Sequence, residues 1–306
     1  MEEDFLVRFD FAIKTLLRNK ANFAILEGFI EVFLGKKCKI QEILESEGNQ
    51  LDSEDKFNRV DIKAKDDKGE IFIVEVQTTR YTCYLERILY GVSKAVTEQI
   101  GKGGRYSDIK QVFSISIVYY DLGEGDDYFY ECKSDFIGVH THNILRLSRK
   151  EELTVEEIKK GDQRKFKYTP KTASDIFPKY YLIRINSFRK IVVDAMDEWM
   201  TFLKDNSIKA DTTVPGLKEA KEQLKYSKMT KAERINYERH LESLENEKDA
   251  ISVAKTEGRA EGRAEGIAEG AKKQAIETAI LMKNHGDDIN YIAVVTKLPI
   301  SEIENL

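Results

Sequence analysis

The composition of this 306-residue chain is that of a globular protein with a sizeable core, since 41% of its residues are hydrophobic and 10% are aromatic. Its formal net charge of -5 argues against a protein that coats nucleic acid, because such affinity comes largely from neutralised phosphates. There is no apolar run near the roughly 18 residues of a membrane span, and the acidic start MEEDFLVRFD is unlike a signal peptide. We therefore expect a cytoplasmic protein with no membrane contact.

The N-terminal segment is predicted to be helical. Residues 9–35 carry apolar side chains at helical spacing, with a break near residues 19–21 and an end at Gly35. Asp10 is interpreted as the N-cap of the first helix. A strand is expected near residues 38–45. The three cysteines, one of which is Cys38, have no metal-ligand spacing and support neither a zinc site nor a disulfide framework.

The next segment, RVDIKAKDDKGEIFIVEVQ, predicts a β-hairpin, because apolar and polar residues alternate on both sides of the turn at residues 66–69. In a hairpin centred on Lys68, Asp61 lies opposite Glu75, with their β-carbons roughly 5 Å apart. Gln77 shares a face with Glu75, since side chains two apart on a strand point the same way. The hairpin thus presents two carboxylates and an amide together.

Two carboxylates this close repel each other unless a cation lies between them, and their hard oxygens suit Mg²⁺ or Mn²⁺. The alternative is an ordinary hairpin with a surface Asp and Glu. Glu75 interrupts the otherwise apolar run IFIVEVQ, and a partly buried carboxylate needs a partner or a proton. This observation strengthens the case for a metal site at Asp61 and Glu75, and the ordinary hairpin stays open as the alternative.

A helix over residues 83–100 and the strand QVFSISIVYYDL complete the order αβββαβ. The helix is predicted to pack through an apolar stripe and to carry cations on its opposite face. The stripe comprises Leu85, Leu89, Val92 and Val96, and the cations are Arg87 and Lys94. These two and Arg80 are candidate contacts for DNA phosphates, with ordinary solvated charges as the alternative.

The sheet is expected to continue with a strand at residues 128–135 and with the segment IGVHTHNILRL, on which His140 and His142 would share a face. Two histidines need further ligands to hold a metal, and nothing in the sequence brings them to the hairpin. The strand YYLIRI and an amphipathic helix follow, the latter with Trp199 in the core.

Charged helices are predicted for residues 211–256. In the repeat EGRAEGRAEGIAEG that follows, glycines recur every fourth residue from Gly258 to Gly270. The alternatives are a helix for self-association and a flexible charged linker; the Glu and Ala content favours the helix. The C-terminal segment resembles a helix-turn-helix, but Glu302 and Glu304 at the centre of its last helix favour a small packing unit over a DNA reader.

Taken in order, several segments resemble the recombination-promoting nuclease and transposase family, a branch of the PD-(D/E)XK nuclease superfamily. They are FDFAIKTLL, VDIKAKDDKGEIFIVEVQ, ERILYGVSKAVTEQI, SDIFPKYYLIRI, DEWMTFLKD and EGRAEGRAEG. The resemblance implies an α/β fold with a restriction-endonuclease-like αβββαβ core, a mixed central sheet and a mostly helical C-terminal region. It implies that Asp61 and Glu75 bind the metal, aided by the carbonyl of Val76, and that Gln77 stands where a lysine is usual.

The implied activity is Mg²⁺-dependent (or Mn²⁺-dependent) endonucleolytic cleavage of double-stranded DNA, linked to recombination or mobile elements. Asp10 is an additional candidate ligand, and Lys63, which faces the same side as Asp61, is a candidate source of the charge that Gln77 lacks. A non-catalytic DNA-binding or scaffold protein with this fold and a toxin or defence nuclease are the alternatives.

We expect five regions along the chain. If the repeat is helical, we also expect self-association through the C-terminal helices. The regions are a nuclease-like core (1–150), an extension of the core (151–210), charged helices (211–256), the glycine-rich repeat (257–272) and a small helical hairpin (273–306).

Overall fold

The computed structural model describes residues 5–13, 23–44, 61–101, 103–152 and 166–306. The predicted helix break near residues 19–21 lies outside these residues. The chain divides into two compact units, Met1–Tyr237 and Glu238–Leu306, which are described separately.

The first unit contains helices and strands in alternation. Its helices are α1 (Phe9–Phe11), α2 (Ala24–Leu34), α3 (Tyr84–Thr97), α4 (Ala195–Asp205) and α5 (Leu217–Gln223). Its strands are β1 (Ile40–Leu44), β2 (Ile62–Asp66), β3 (Ile71–Gln77), β4 (Val112–Val118), β5 (Phe129–Cys132), β6 (Leu147–Glu152), β7 (Phe166–Lys171) and β8 (Lys179–Arg184). As predicted, α2 ends at Gly35, whose positive φ of 61° suits glycine.

Within the described residues, six strands form one sheet in the order β1-β2-β3-β4-β8-β5. The pairs β3–β4 and β4–β8 are parallel, and the others are antiparallel. The run from α2 to β4 has the order αβββαβ, so the predicted core and its mixed sheet are confirmed. The crossover between β3 and β4 is helix α3, as a parallel pair requires.

The predicted hairpin is confirmed, because β2 and β3 pair antiparallel with Ile62 opposite Val74. The Asp66 side chain accepts hydrogen bonds from the N–H groups of Lys68 and Glu70, at 3.0 and 2.8 Å. Gly69 takes a φ of 79°, which closes the turn in four residues. A turn this tight fixes the register of the whole hairpin.

The two faces of the sheet are covered by different helices. One face packs Phe72, Val74 and Val76 into a core with α2 and α4, and Trp199 lies fully buried there, as expected. The other face packs Ile71 and Ile73 against α3. Because helices cover both faces of β3, a glutamate on this strand is shielded from solvent.

The predicted apolar stripe of α3 is confirmed at Val92 and Val96, which pack on the sheet, and wrong at Leu85 and Leu89. The buried residues are Tyr84, Ile88, Val92 and Ala95. Leu85 and Leu89 are 63% and 57% exposed. Both sets satisfy helical spacing, and tertiary packing selects the one that brings Tyr84 and Ile88 onto the sheet.

The prediction that residues 137–147 extend the sheet is also wrong. Gly138 donates its N–H to the carbonyl of Asn143, at 2.8 Å, which makes a turn of the segment that carries both histidines. A single bridge joins Ile137 to Ile144. The chain then forms the separate two-stranded sheet β6–β7, and the edge strands of the main sheet are β1 and β5.

In the second unit, α6 (Lys231–His285, which begins in the first unit) runs without a break through residues 257–272. It ends before Gly286, and α7 (Ile289–Thr296) and α8 (Ile300–Glu304) follow. A small core of Ala279, Ile292, Leu298 and Ile303 joins them, as expected for a helical packing unit. Among the described residues, the helices lack any stretch with the length and apolarity needed to cross a membrane.

Candidate functional site

Asp61 lies at the open end of the hairpin, one residue before β2. Continuing the register from the Ile62–Val74 pair places Asp61 opposite Glu75, as the sequence predicts. Its Oδ2 accepts a hydrogen bond of 2.6 Å from the N–H of Val76. Because Val76 is fully buried, this bond fixes the carboxylate against the end of β3.

The carbonyl of Val76 is directed to the same side of β3 as its N–H, because a strand residue turns both main-chain groups toward one neighbour. The N–H of Val76 points at Asp61. The carbonyl oxygen therefore faces the edge where Asp61 lies. Asp61 and Val76 thus bring two kinds of oxygen to the same edge of the hairpin.

Glu75 is buried on the α3 side of the sheet, with only 4% of its surface exposed. It lies opposite Ser116 in the parallel register of β3 and β4, and Ser116 is buried as well. An ionised carboxylate in this position needs positive charge. Arg87 provides some, since its Nη2 lies 3.9 Å from Oε1 of Glu75.

Arg87 does not lie on the solvent face of α3, where the sequence analysis expected it. It follows Tyr84 by three residues and is only partly exposed, which places it at the edge of the face that packs on the sheet. Its guanidinium also lies 5.2 Å from the ring centre of Tyr81. The cation is therefore held between a tyrosine ring and a buried carboxylate.

Two tyrosines complete the surroundings of Glu75. Burial, reinforced by the negative charge of Glu75, raises the pKa of the Tyr84 phenol. Burial also raises the pKa of Tyr120, while the charges of Arg80 and Arg87 act in the opposite direction. The rings of Tyr84 and Tyr120 meet edge to face, with centres 6.3 Å apart. Both phenols therefore stay neutral hydrogen-bonding groups at physiological pH.

Sequence reasoning missed Tyr84, Tyr120 and Ser116. A signal for the serine exists, because Ser114 and Ser116 alternate with isoleucines in VFSISIV and so mark a polar face on an apolar strand. No comparable signal exists for the tyrosines, which read as ordinary core residues.

Gln77 is the last residue of β3 and lies opposite Val118, on the same side as Glu75. Its side chain is partly exposed, and its carbonyl accepts the N–H of Tyr119 at 2.9 Å. Arg80, three residues later, is exposed. Lys94 lies partly exposed in the last turn of α3.

Lys63 forms an ion pair with Glu98, the C-cap residue of α3. Lys63 lies opposite Ile73, one pair farther into the hairpin than the Ile62–Val74 pair, whereas Asp61 lies at its open end. The structure thus gives Lys63 a carboxylate partner at the far end of α3 from Tyr84.

Asp10 is fully buried within α1, and the N-cap position belongs to Arg8, so the interpretation of Asp10 as an N-cap is wrong. Its Oδ2 lies 2.9 Å from Nη2 of Arg8, and its Oδ1 accepts the N–H of Phe11. Burial, together with the charge of Asp10, raises the pKa of Tyr119. Because Tyr119 bonds to Gln77, Asp10 lies near the same end of the sheet as the hairpin site.

The chemistry of the hairpin's donors fits a hard divalent cation. Asp61, Glu75 and the carbonyl of Val76 offer oxygen alone, which suits Mg²⁺ and Mn²⁺. In the described ranges, three or more His, Cys, Asp or Glu side chains are nowhere grouped closely enough to form a metal site. The candidate ligand set is thus two carboxylates and a main-chain oxygen.

A family model described as PD-(D/E)XK nuclease family transposase matches residues 7–254. The match includes Asp61, Glu75, α3 and β4, and it ends within α6. PD-(D/E)XK nucleases generally use divalent metals. Neither a curated protein nor a solved structure was found to match the chain.

Proposed function

The chain belongs to the PD-(D/E)XK nuclease family of transposases, and we propose that it is a Mg²⁺-dependent endonuclease that hydrolyses phosphodiester bonds of double-stranded DNA. The observation that carries the proposal is the buried carboxylate of Glu75 opposite Asp61 at the open end of a hairpin. Burying a carboxylate costs free energy. Binding of a cation would offset that cost.

Asp61, Glu75 and the carbonyl of Val76 would hold Mg²⁺ or Mn²⁺. Such an ion, when bound, lowers the pKa of a coordinated water and neutralises charge on the scissile phosphate. The bond from the Val76 N–H holds Asp61 in place, and Glu75 lies buried opposite it. Gln77 can orient a water by hydrogen bonding, but an amide neither takes up a proton nor supplies charge.

DNA would approach the exposed side of this hairpin, with Arg80 and Lys94 as phosphate contacts. Within the described residues Asp10 is not grouped with Asp61 and Glu75 closely enough to complete a three-carboxylate site, and its ion pair with Arg8 favours a structural role. The pairing of Lys63 with Glu98 favours a structural role for that lysine. Membership of a transposase family supports a role in recombination or mobile-element chemistry.

Of the two alternatives, only the first leads to a different result in the test below. A scaffold that retains the fold would bind DNA without cutting it, and the enclosure of Glu75 argues against this, because a scaffold gains nothing from a buried charge. A toxin or defence nuclease shares the proposed chemistry and differs in its biological target.

We also propose that α6 associates with a second copy of itself. Every residue from 251 to 274 is exposed, and four glycines at about 1 kcal/mol each disfavour a lone helix there. Glutamates such as Glu261 precede each glycine, and Arg259 and Arg263 follow the first two. In a parallel pair, the acidic edge of one helix meets the basic edge of the other.

Cleavage of supercoiled plasmid tests the proposed activity. With Mg²⁺ or Mn²⁺ the protein should nick or linearise the plasmid, and with EDTA the plasmid should stay intact. Binding of plasmid without cutting under every divalent metal would favour the scaffold.

A further inference from the structure

We propose that Arg87 supplies the positive charge of this site, both holding Glu75 in place before the metal binds and donating to a DNA phosphate during cleavage. The inference rests on the proposed metal-dependent cleavage and assigns to Arg87 a task that the hairpin cannot perform. Asp61 and Glu75 are negative, Gln77 is neutral, and Lys63, the hairpin lysine two residues from Asp61 on the same face, is paired with Glu98.

The location of Arg87 supports this role. Its side chain is 29% exposed and lies at the edge of the sheet-facing side of α3, three residues after the buried Tyr84. A guanidinium at such a position is costly unless a charged partner compensates, and Glu75 is that partner. A cation on the solvent face of α3 would not need a charged partner in this way.

Each of the two groups can hold more than one partner, since a carboxylate has two oxygens and a guanidinium several N–H donors. At 3.9 Å, the contact between Nη2 of Arg87 and Oε1 of Glu75 is longer than a direct charge-assisted hydrogen bond of roughly 2.7–2.9 Å. The carboxylate can thus still offer oxygen to a metal. The guanidinium, with its five N–H groups in a planar fork, can still donate to phosphate oxygens.

The proposal predicts that removing the charge has opposite effects on metal binding and on cleavage. The charge of Arg87 stabilises free Glu75 and repels a divalent cation, so Arg87→Met at pH 8 should bind Mn²⁺ about threefold or more tightly. The same variant at saturating metal should cleave DNA on the order of 100-fold more slowly in a single turnover. Calorimetric titration of each protein with Mn²⁺ in the absence of DNA measures the change in metal affinity.

A second variant and a rescue separate this role from a structural one. Arg87→Gln also removes the charge but keeps a polar side chain, and it should behave like Arg87→Met in both measurements. Gln77→Lys places a cation two residues from Glu75 on the same strand face, so it should restore cleavage about tenfold in either background. Lys94→Met, on the same helix, serves as the control: it should weaken DNA binding, leave Mn²⁺ affinity unchanged and gain nothing from Gln77→Lys.

Four results would count against the inference. Cleavage by both neutral Arg87 variants at the wild-type rate, or a parallel loss of metal binding and cleavage, would overturn it while leaving the proposed function intact. Failure of Gln77→Lys to restore any cleavage would also overturn it. Absence of cleavage by the wild type with every divalent metal would instead overturn the proposed function, and the inference with it.

Discussion

The hydrogen bond between Asp61 and Val76 makes two substitutions of Asp61 differ in stability. Asp61→Ala removes the acceptor of a 2.6 Å charge-assisted bond and leaves the N–H of a fully buried residue without it. Loss of such a partner costs about 1–3 kcal/mol. Asp61→Asn keeps an acceptor oxygen in place, so its cost should stay below about 1 kcal/mol. Both substitutions should abolish cleavage.

Urea unfolding followed by tryptophan fluorescence measures this difference. Trp199 is the one tryptophan of the sequence and is buried in the first unit, so its emission reports on the unit that carries the site. With a slope of about 2 kcal/mol per molar urea, a loss of 2 kcal/mol lowers the midpoint by about 1 M. Equal midpoints for Asp61→Ala and Asp61→Asn would refute the role given to this bond.

Two further predictions concern other parts of the chain. Burial, with the charges of Asp66 and Glu27, raises the pKa of Cys38 to about 12, so this thiol stays protonated at pH 8. After treatment with iodoacetamide, mass spectrometry should find only the exposed Cys83 and Cys132 modified until urea unfolds the protein. A modified Cys38 in the native protein would contradict this. Replacing Gly262 and Gly266 with Leu should lower the mass seen by light scattering, because bulky side chains block close approach of two helices; an unchanged mass would argue against association through α6.

The hairpin and its register were predictable because they depend on short-range rules. Alternation with period two defines β2 and β3, and the four-residue turn with Gly69 at positive φ leaves one register. That register alone places Asp61 opposite Glu75. The pairing of carboxylates therefore follows from about twenty consecutive residues.

The buried face of α3 was not predictable from local pattern, because Leu85 and Leu89 satisfy helical spacing as well as Tyr84 and Ile88 do. The choice depends on contact with a sheet whose strands come from distant parts of the chain. The same contact turns Arg87 inward to Glu75. Long-range pairing thus decides which cation belongs to the site.

The order of the later strands was unpredictable for a related reason. Strand β8 enters the sheet between β4 and β5, although more than forty residues separate it from β5. Residues 137–147 have strand-like alternation, but Gly138 and Asn143 bond to each other across a turn. Local strand propensity does not decide which of several distant segments pairs with β4 at the side of the sheet.

The central claim is that Glu75 holds the metal that cleaves DNA, and a matched pair of substitutions tests it most directly. Glu75→Gln and Glu70→Gln each remove one negative charge from the same hairpin, but Glu70 lies at the turn, 2.6 Å from Lys36. With Mg²⁺ and supercoiled plasmid, Glu70→Gln should cut like the wild type and Glu75→Gln should not cut at all. Equal cutting by the wild type and Glu75→Gln would contradict the account.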